Sequence, residues 1–198
     1  FEEWQLGVMV GAGFFTAFVS QISLARFSDR GHSATMIRLG LVGLAIGTAA
    51  MAIADDYVWF FAARMLLGVG AGTLLPAVRR IVVVANPKEV GRNLGLLGAF
   101  DVGGFLVGPL IAGVLAQVWS FRAPFVAFAL LSIAFIPAVA RLPKDEGGVT
   151  TERQVIGKLL QNPGIRAMLV VAVGWYAMIG LFEAVWAVML TDRGAETW

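Results

Sequence analysis

Long apolar stretches alternate with short charged ones along the chain. Only three of its 28 charged residues (15 Lys and Arg, 13 Asp and Glu) lie in six stretches of 16 to 26 residues. The stretches are residues 4–25, 39–54, 57–78, 93–118, 123–140 and 167–191. A helix rises about 1.5 Å per residue and the hydrocarbon layer is about 30 Å thick, so a run of about 18 apolar residues predicts a membrane span. Five runs qualify, and the second reaches this length with Met36, Ile37 and a snorkelling Arg38.

Composition agrees with this pattern. Hydrophobic residues make up 59% of the chain and charged residues 14%, whereas a soluble domain carries about 25% charged residues. The runs are longer than a spanning β-strand of about nine to eleven residues and show no polar alternation, so they predict helices. The predicted fold class is therefore all-α: a polytopic helical membrane protein with six transmembrane helices.

Several kinds of chemistry are excluded or disfavoured. The chain has no cysteine, which excludes disulfides, thiolate metal sites and cysteine nucleophiles, and its single histidine, His32, disfavours a histidine-built metal site. Gly-x-Ser-x-Gly and His-Glu-x-x-His motifs are both absent from the sequence, so we predict no enzyme, no cofactor and no metal. The basic residues border the spans, so topology explains the net charge of +2 better than nucleic-acid binding does.

The distribution of basic residues predicts the orientation in the bilayer. When the loops alternate between the two sides, one side holds twelve Lys and Arg in segments 26–38, 79–92 and 141–166, and the other holds only Arg122 and Arg193. By the positive-inside rule the first side is cytoplasmic. Five aromatic residues fall near the predicted outer ends, where amphipathic rings favour the headgroup level, or alternatively they belong to the core. They are Trp4, Tyr57, Trp59, Trp119 and Trp186.

The longest loop, 141–166, divides the predicted organisation. Thr151 and Gln154 form a capping-box pair and Asn162-Pro163-Gly164 ends the following apolar face, which predicts a short amphipathic helix on the cytoplasmic surface. We expect 1–140 to belong to one bundle, 141–166 to be a linker, and 167–198 to begin a second bundle. The chain starts without Met at the edge of a span and stops just after another, so we expect a piece of a longer protein.

The three charges inside the spans are candidate functional residues, because ionisable groups in a bilayer are costly. Arg64 lies about 10 Å below the outer surface, Asp101 about 12 Å from the cytoplasmic side, and Glu183 about 12 Å from the outer side. Asp101 shares a helical face with Gly104 and Gly108 and is expected to point into protein, where burial would suit a proton carrier. The alternatives are structural: Arg64 bonding backbone carbonyls, and each acid making a hydrogen bond inside the bundle.

Pairs of glycines four residues apart predict close helix packing in lipid. They are Gly7 and Gly11, Gly43 and Gly47, Gly68 and Gly72, and Gly104 and Gly108.

Three motifs resemble the major facilitator superfamily of secondary transporters, from its second helix to its seventh. The segment 25–32, with Asp29, Arg30 and Gly31, resembles the signature Gly-x-x-x-Asp-Arg-x-Gly-Arg-Arg between helices two and three. Its second Gly arrives one residue early, and His32-Ser33 stands where two basic residues are usual, which puts the basic half of the family's charge relay in doubt. The resemblance implies that Asp29 helps latch the two halves at the cytoplasmic face. Alternatively, Asp29 caps the following helix.

The other two motifs lie within spans. Arg64 followed by Gly68, Gly70 and Gly72 resembles the fourth-helix motif, whose Arg the family links to proton transfer. The segment 104–113 resembles the fifth-helix pattern Gly-x-x-x-Gly-Pro-x-x-Gly-Gly that is associated with proton-exchanging exporters. Its matching residues are Gly104, Gly108, Pro109 and Gly113, with Ala112 as the one departure. In the family the fourth and seventh helices line the cavity, which suggests a contact between Arg64 and Glu183.

The resemblance implies a transporter of small molecules in a bacterial-type inner membrane, working by alternating access. We expect a proton-coupled exporter, with the lipid bilayer, a small-molecule substrate and protons as its partners. The alternative in the same superfamily is an importer of a small metabolite, either a symporter or a uniporter. A channel or a membrane receptor is a further alternative.

Overall fold

The computed structural model describes residues 3–140 and 160–192, and every long element in those ranges is helical. Six helices follow one another, each overlapping one predicted span. They are α1 (Glu3–Phe27), α2 (Ser33–Ile53), α3 (Tyr57–Ala85), α4 (Val90–Val118), α5 (Ala123–Ala140) and α6 (Pro163–Asp192). The prediction of an all-α membrane fold is confirmed.

Four helical stretches among the described residues are long and apolar enough to cross a membrane. They are Trp4–Ile53, which runs through α1 and α2, Tyr57–Ala85, Pro87–Val118 and Pro163–Phe182. The apolar part of α5, Ala123–Val139, is shorter. At about 1.5 Å per residue, the 18 residues of α5 still extend about 27 Å, close to the thickness of the hydrocarbon layer.

Local signals set the helix ends. Asp56 caps α3, because its Oδ1 accepts a hydrogen bond from the backbone N–H of Trp59 at 2.8 Å. A 3₁₀ turn at Pro87–Glu89 separates α3 from α4. The helix α3 runs seven residues past the predicted span end at Val78 and so carries Arg79 and Arg80. Hydropathy marks the part of a helix that lies in lipid, whereas the helix itself continues to its next turn.

The chain divides into two compact units. Among the described residues, one unit comprises residues 3–11 and 160–192, which are the start of α1 and α6. The other comprises residues 12–140, which are the rest of α1 and all of α2 to α5. The predicted surface helix within 141–166 lies largely outside the described residues, and the domain boundary there stays a prediction.

In the larger unit, α2 packs mainly against α3 and next against α5. A small buried cluster joins them, made of Met36, Ile37 and Leu41 on α2 and Ala77 on α3. Partly buried side chains from α1 and α5, among them Leu24 and Ile136, cover this cluster.

Glycines permit the closest helix contacts. A Cβ at Gly70 would lie 2.7 Å from the backbone nitrogen of Leu44 and 2.9 Å from the carbonyl oxygen of Gly40, so α2 and α3 meet backbone to backbone. On another side of α3, a Cβ at Gly68 would overlap Gly13 of α1, and one at Gly72 would overlap Ala17.

The predicted packing role is thus found for two of the four glycine pairs. Gly43 and Gly47 of α2 lie against α3, and Gly68 and Gly72 of α3 lie against α1. No described atom beyond their own helix lies within 4 Å of a Cβ built at the other two pairs. Those pairs are Gly7 and Gly11, and Gly104 and Gly108.

Candidate functional site

The connection between α1 and α2 carries the first candidate site. Gly31 has φ of 86°, the left-handed region that favours glycine, and together with the non-helical His32 it breaks the helical path between α1 and α2. The Oγ atoms of Ser28 and Ser33 lie 3.1 Å apart across the turn, and Ser33 also donates a hydrogen bond to the Ser28 carbonyl at 3.4 Å. Both serines are buried, so the base of the turn is closed by hydroxyl groups inside the protein.

Asp29 and Arg30 project from this turn and are exposed. An oxygen of Asp29, Oδ1, lies 3.5 Å from Nη1 of Arg80 near the end of α3. The Arg80 side chain is 14% exposed and that of Asp29 is 71% exposed. His32 occupies the N-cap position of α2 and makes no side-chain cap bond, so Asp29 does not cap this helix. The ion pair ties the α1–α2 turn to α3.

Arg64 lies on α3 one helical turn before Gly68, at the contact between α1 and α3. It is half-buried, and its side chain covers Gly13, where a Cβ would lie 2.9 Å from Nε of Arg64. The hydroxyl of Thr16, one turn further along α1, lies 3.0 Å from the Met65 carbonyl oxygen on α3, and also within hydrogen-bond distance of carbonyls of its own helix. The glycine at position 13 therefore makes room for an arginine within the span.

Within the described part of the chain, Asp101 and the glycines of segment 104–113 on α4 are not in the buried, packed positions that the sequence predicts. Asp101 is exposed, and no described atom outside α4 lies within 4 Å of a Cβ built at Gly104, Gly108 or Gly113. The predicted burial of Asp101 and the packing of this glycine stripe are not found among residues 3–140 and 160–192. Helical spacing places Asp101, Gly104 and Gly108 on one face of α4 and Gly113 on the opposite side, but it does not indicate which element covers either face. The roles of Asp101 and of Pro109, which lies inside α4, stay predictions.

Glu183 lies on α6, but its side chain falls outside the described ones. Its proposed contact with Arg64 stays a prediction.

The opposite end of the larger unit carries a second loop contact. Nη2 of Arg122, between α4 and α5, lies 2.6 Å from Oδ1 of Asp55, between α2 and α3. The two connections therefore lie at the same end, and the Asp29–Arg80 pair joins two segments at the other end. This is the alternation of loops that the count of basic residues assumed. Trp59 and Trp119, near the ends of α3 and α4, are more than half exposed, as are many other residues of α4, so their place at the headgroup level stays a prediction.

No group of three or more metal-ligating side chains (His, Cys, Asp or Glu) occurs within the described part of the chain.

Comparison with known proteins decides the family. The family model described as Major Facilitator Superfamily matches residues 2–194. The chain belongs to the major facilitator superfamily.

Two relatives of this superfamily member are named for drug resistance. It is 30% identical over 164 residues to the multidrug resistance protein MdtG of Dickeya zeae, covering 79% of the chain and 40% of that protein. It is 24% identical over 195 residues to the quinolone resistance protein NorA of Staphylococcus aureus, covering 95% of the chain and 50% of that protein. The chain spans about half the length, or less, of these relatives. It is a multi-pass membrane protein of a transporter family.

Sequence reasoning missed two features of the signature loop in this major facilitator protein. The positive-inside count treats Arg80 only as one of the cytoplasmic charges, although it is the observed partner of Asp29. The motif comparison treats Ser33 only as a departure, although it is a buried partner of Ser28. The available signals were the Arg79-Arg80 pair at a span end and two serines flanking the glycine turn.

Proposed function

We propose that the chain is part of a longer secondary transporter that exports small molecules in exchange for protons across a bacterial inner membrane. The observation that carries the proposal is Arg64, a half-buried arginine in an otherwise uncharged span, fitted over Gly13 of the neighbouring helix. On membrane-insertion scales an arginine at the centre of a helix costs about 2.5 to 3.5 kcal/mol. A charged side chain that a membrane span accommodates at this cost is typical of an ion or substrate pathway.

The direction of transport and the substrate class are proposed from two further points. The relatives MdtG and NorA are named for resistance to drugs, which favours export of drug-like compounds. The segment 104–113 resembles the pattern of proton-exchanging exporters, and Pro109 interrupts the hydrogen bonding of α4 within it. In this mechanism two bundles rock about a site near the middle of the bilayer, and the site opens alternately to each side.

Protons require acids that bind and release them during the cycle. Asp101 and Glu183 are the candidate carriers, because they are the acids within the predicted spans. In the proposed scheme Arg64 provides a fixed positive charge that favours release of a proton from a nearby acid and attracts a charged group in the pathway.

The test uses the full-length protein in everted membrane vesicles that hold a respiration-driven pH gradient. A panel of quinolones, lipophilic cations and small metabolites is added, and collapse of the gradient is recorded by fluorescence. We expect at least one compound to collapse the gradient, with a rate about tenfold lower in Arg64→Gln. Asp101→Asn and Glu183→Gln identify which acid carries the proton.

Arg92→Gln is the matched control, since Arg92 lies outside the predicted span and pairs only at the surface with Glu89 at 3.3 Å. It should transport as the unmodified protein does. If the protein instead drives uptake of a compound into intact cells, it is an importer. If no compound collapses the gradient, or if Arg64→Gln transports normally, the proposal is wrong.

A further inference from the structure

The turn between α1 and α2, residues 28–33, is the signature loop. It lacks the two basic residues that usually follow its glycine, at positions 32 and 33. The structure shows why position 33 cannot hold a basic side chain. Ser33 has no exposed surface, and its hydroxyl contacts Ser28 across the turn. A long charged side chain at position 33 would break this contact and bury a charge. His32, the other position, is exposed.

A positively charged side chain nevertheless lies beside the loop, and it belongs to α3. Arg80 lies 51 residues beyond Asp29 in the chain, yet its guanidinium Nη1 is 3.5 Å from Asp29 Oδ1. The neighbouring Arg79 is exposed, and the ion pair with Asp29 is made by Arg80. Surrounding protein restrains the mostly buried Arg80 side chain, whereas the carboxylate of Asp29 stays open to solvent.

An exposed ion pair contributes little to folding stability, because water competes with it and both side chains lose freedom. Its effect here is on position: the restrained guanidinium favours conformations in which the exposed carboxylate of Asp29 lies near it.

We infer that Arg80 supplies the cation that the signature loop lacks, and that it is the positioning residue for Asp29 at the end of the larger unit assigned to the cytoplasm. The consequence for transport rests on the proposed function: Asp29, held by Arg80, presents its carboxylate to whatever closes this end during the cycle. The signature loop and the end of α3 then move together when this end opens and closes. The loop provides the negative charge of Asp29, and α3 provides the positive charge of Arg80.

The first experiment measures the local charge and does not depend on transport. Asp29→Cys is made in the full-length protein with any other cysteines replaced; residues 1–198 contain none. Its thiol is modified in everted vesicles by an anionic and by a cationic methanethiosulfonate reagent. The ratio of the two rates reports the potential at position 29. We expect Arg80→Gln to lower the anionic-to-cationic ratio about threefold or more, because a unit charge is removed within a few ångströms.

Arg79→Gln is the matched control, because it removes the same charge from the adjacent position. It should change the ratio much less than Arg80→Gln does. A ratio that Arg80→Gln leaves unchanged, or that both variants change equally, would overturn the inference whether or not the protein transports.

The second experiment compares transport in an otherwise unmodified protein. We expect Arg80→Gln to lower the transport rate about tenfold, Arg80→Lys to retain most of it, and Arg79→Gln to leave it near normal. Normal transport in Arg80→Gln, with folding confirmed by its elution from size-exclusion chromatography, would overturn the positioning role. If the unmodified protein transports nothing while the modification ratio still responds to Arg80, the proposed function fails and the charge assignment stands.

Discussion

At the scale of single residues, the turn between α1 and α2 shows how little sequence is needed to reverse a membrane helix. Gly31 supplies the left-handed backbone, and the hydroxyl groups of Ser28 and Ser33 satisfy each other beneath it. The glycine that stands one place early in the signature is therefore, with the non-helical His32, where the helical path breaks.

Gly31→Ala should destabilise the protein by about 1 to 2 kcal/mol, because a Cβ in the left-handed region meets the following carbonyl oxygen. The measurement is thermal unfolding of purified protein in detergent. Gly91→Ala is the control, since Gly91 is exposed in the first turn of α4 and a Cβ there would meet nothing within 4 Å. Equal melting temperatures for the two variants would contradict the role given to Gly31.

The sequence indicated single candidate residues but not their partners. Arg64 was found because a charge inside an apolar run is visible in the sequence, and its depth follows from the helical rise. The neighbours of such residues come from distant parts of the chain: Gly13 lies against Arg64, and Arg80 against Asp29. Spacing along one helix contains no information on these contacts.

At the scale of helices, prediction succeeded because a bilayer demands long apolar stretches with internally bonded backbones. The described helices overlap all six predicted spans, and the main differences are extensions such as that of α3 to Ala85. Which glycine stripe packs was not predictable, since the stripes at Gly68 and Gly104 have the same spacing but different surroundings.

This difference gives a prediction for helix packing. Gly70→Ala should destabilise the protein by about 1 to 3 kcal/mol, because the added Cβ meets backbone atoms of α2 that cannot move aside cheaply. Gly98→Ala on α4 places the same group in open space and should cost little. The two variants are compared by unfolding in detergent, and a Gly70→Ala protein as stable as Gly98→Ala would show that α2 and α3 are less closely packed than described.

At the scale of the whole molecule, the count of basic residues and the loop contacts support the same alternation of sides. Asp55 meets Arg122 at one end of the larger unit and Asp29 meets Arg80 at the other. Only the count of Lys and Arg in the loops assigns the end with the Asp29–Arg80 pair to the cytoplasm.

Labelling single cysteines checks this orientation in the full-length protein. Lys88→Cys and Ser120→Cys replace exposed residues at opposite ends of α4. A membrane-impermeant maleimide should label position 120 in intact cells and position 88 in everted vesicles. The reverse pattern would show that the chain is inserted with the opposite orientation.

The glycine contacts along α3 have a mechanical consequence. Helices that slide past one another do so by small adjustments in the layer of side chains between them. Between α3 and α2, and between α3 and the part of α1 from Gly13 onward, that layer is missing at the closest points. We therefore expect α2, α3 and that part of α1 to turn together as a stiff block, with any bending of the larger unit at the borders of that block.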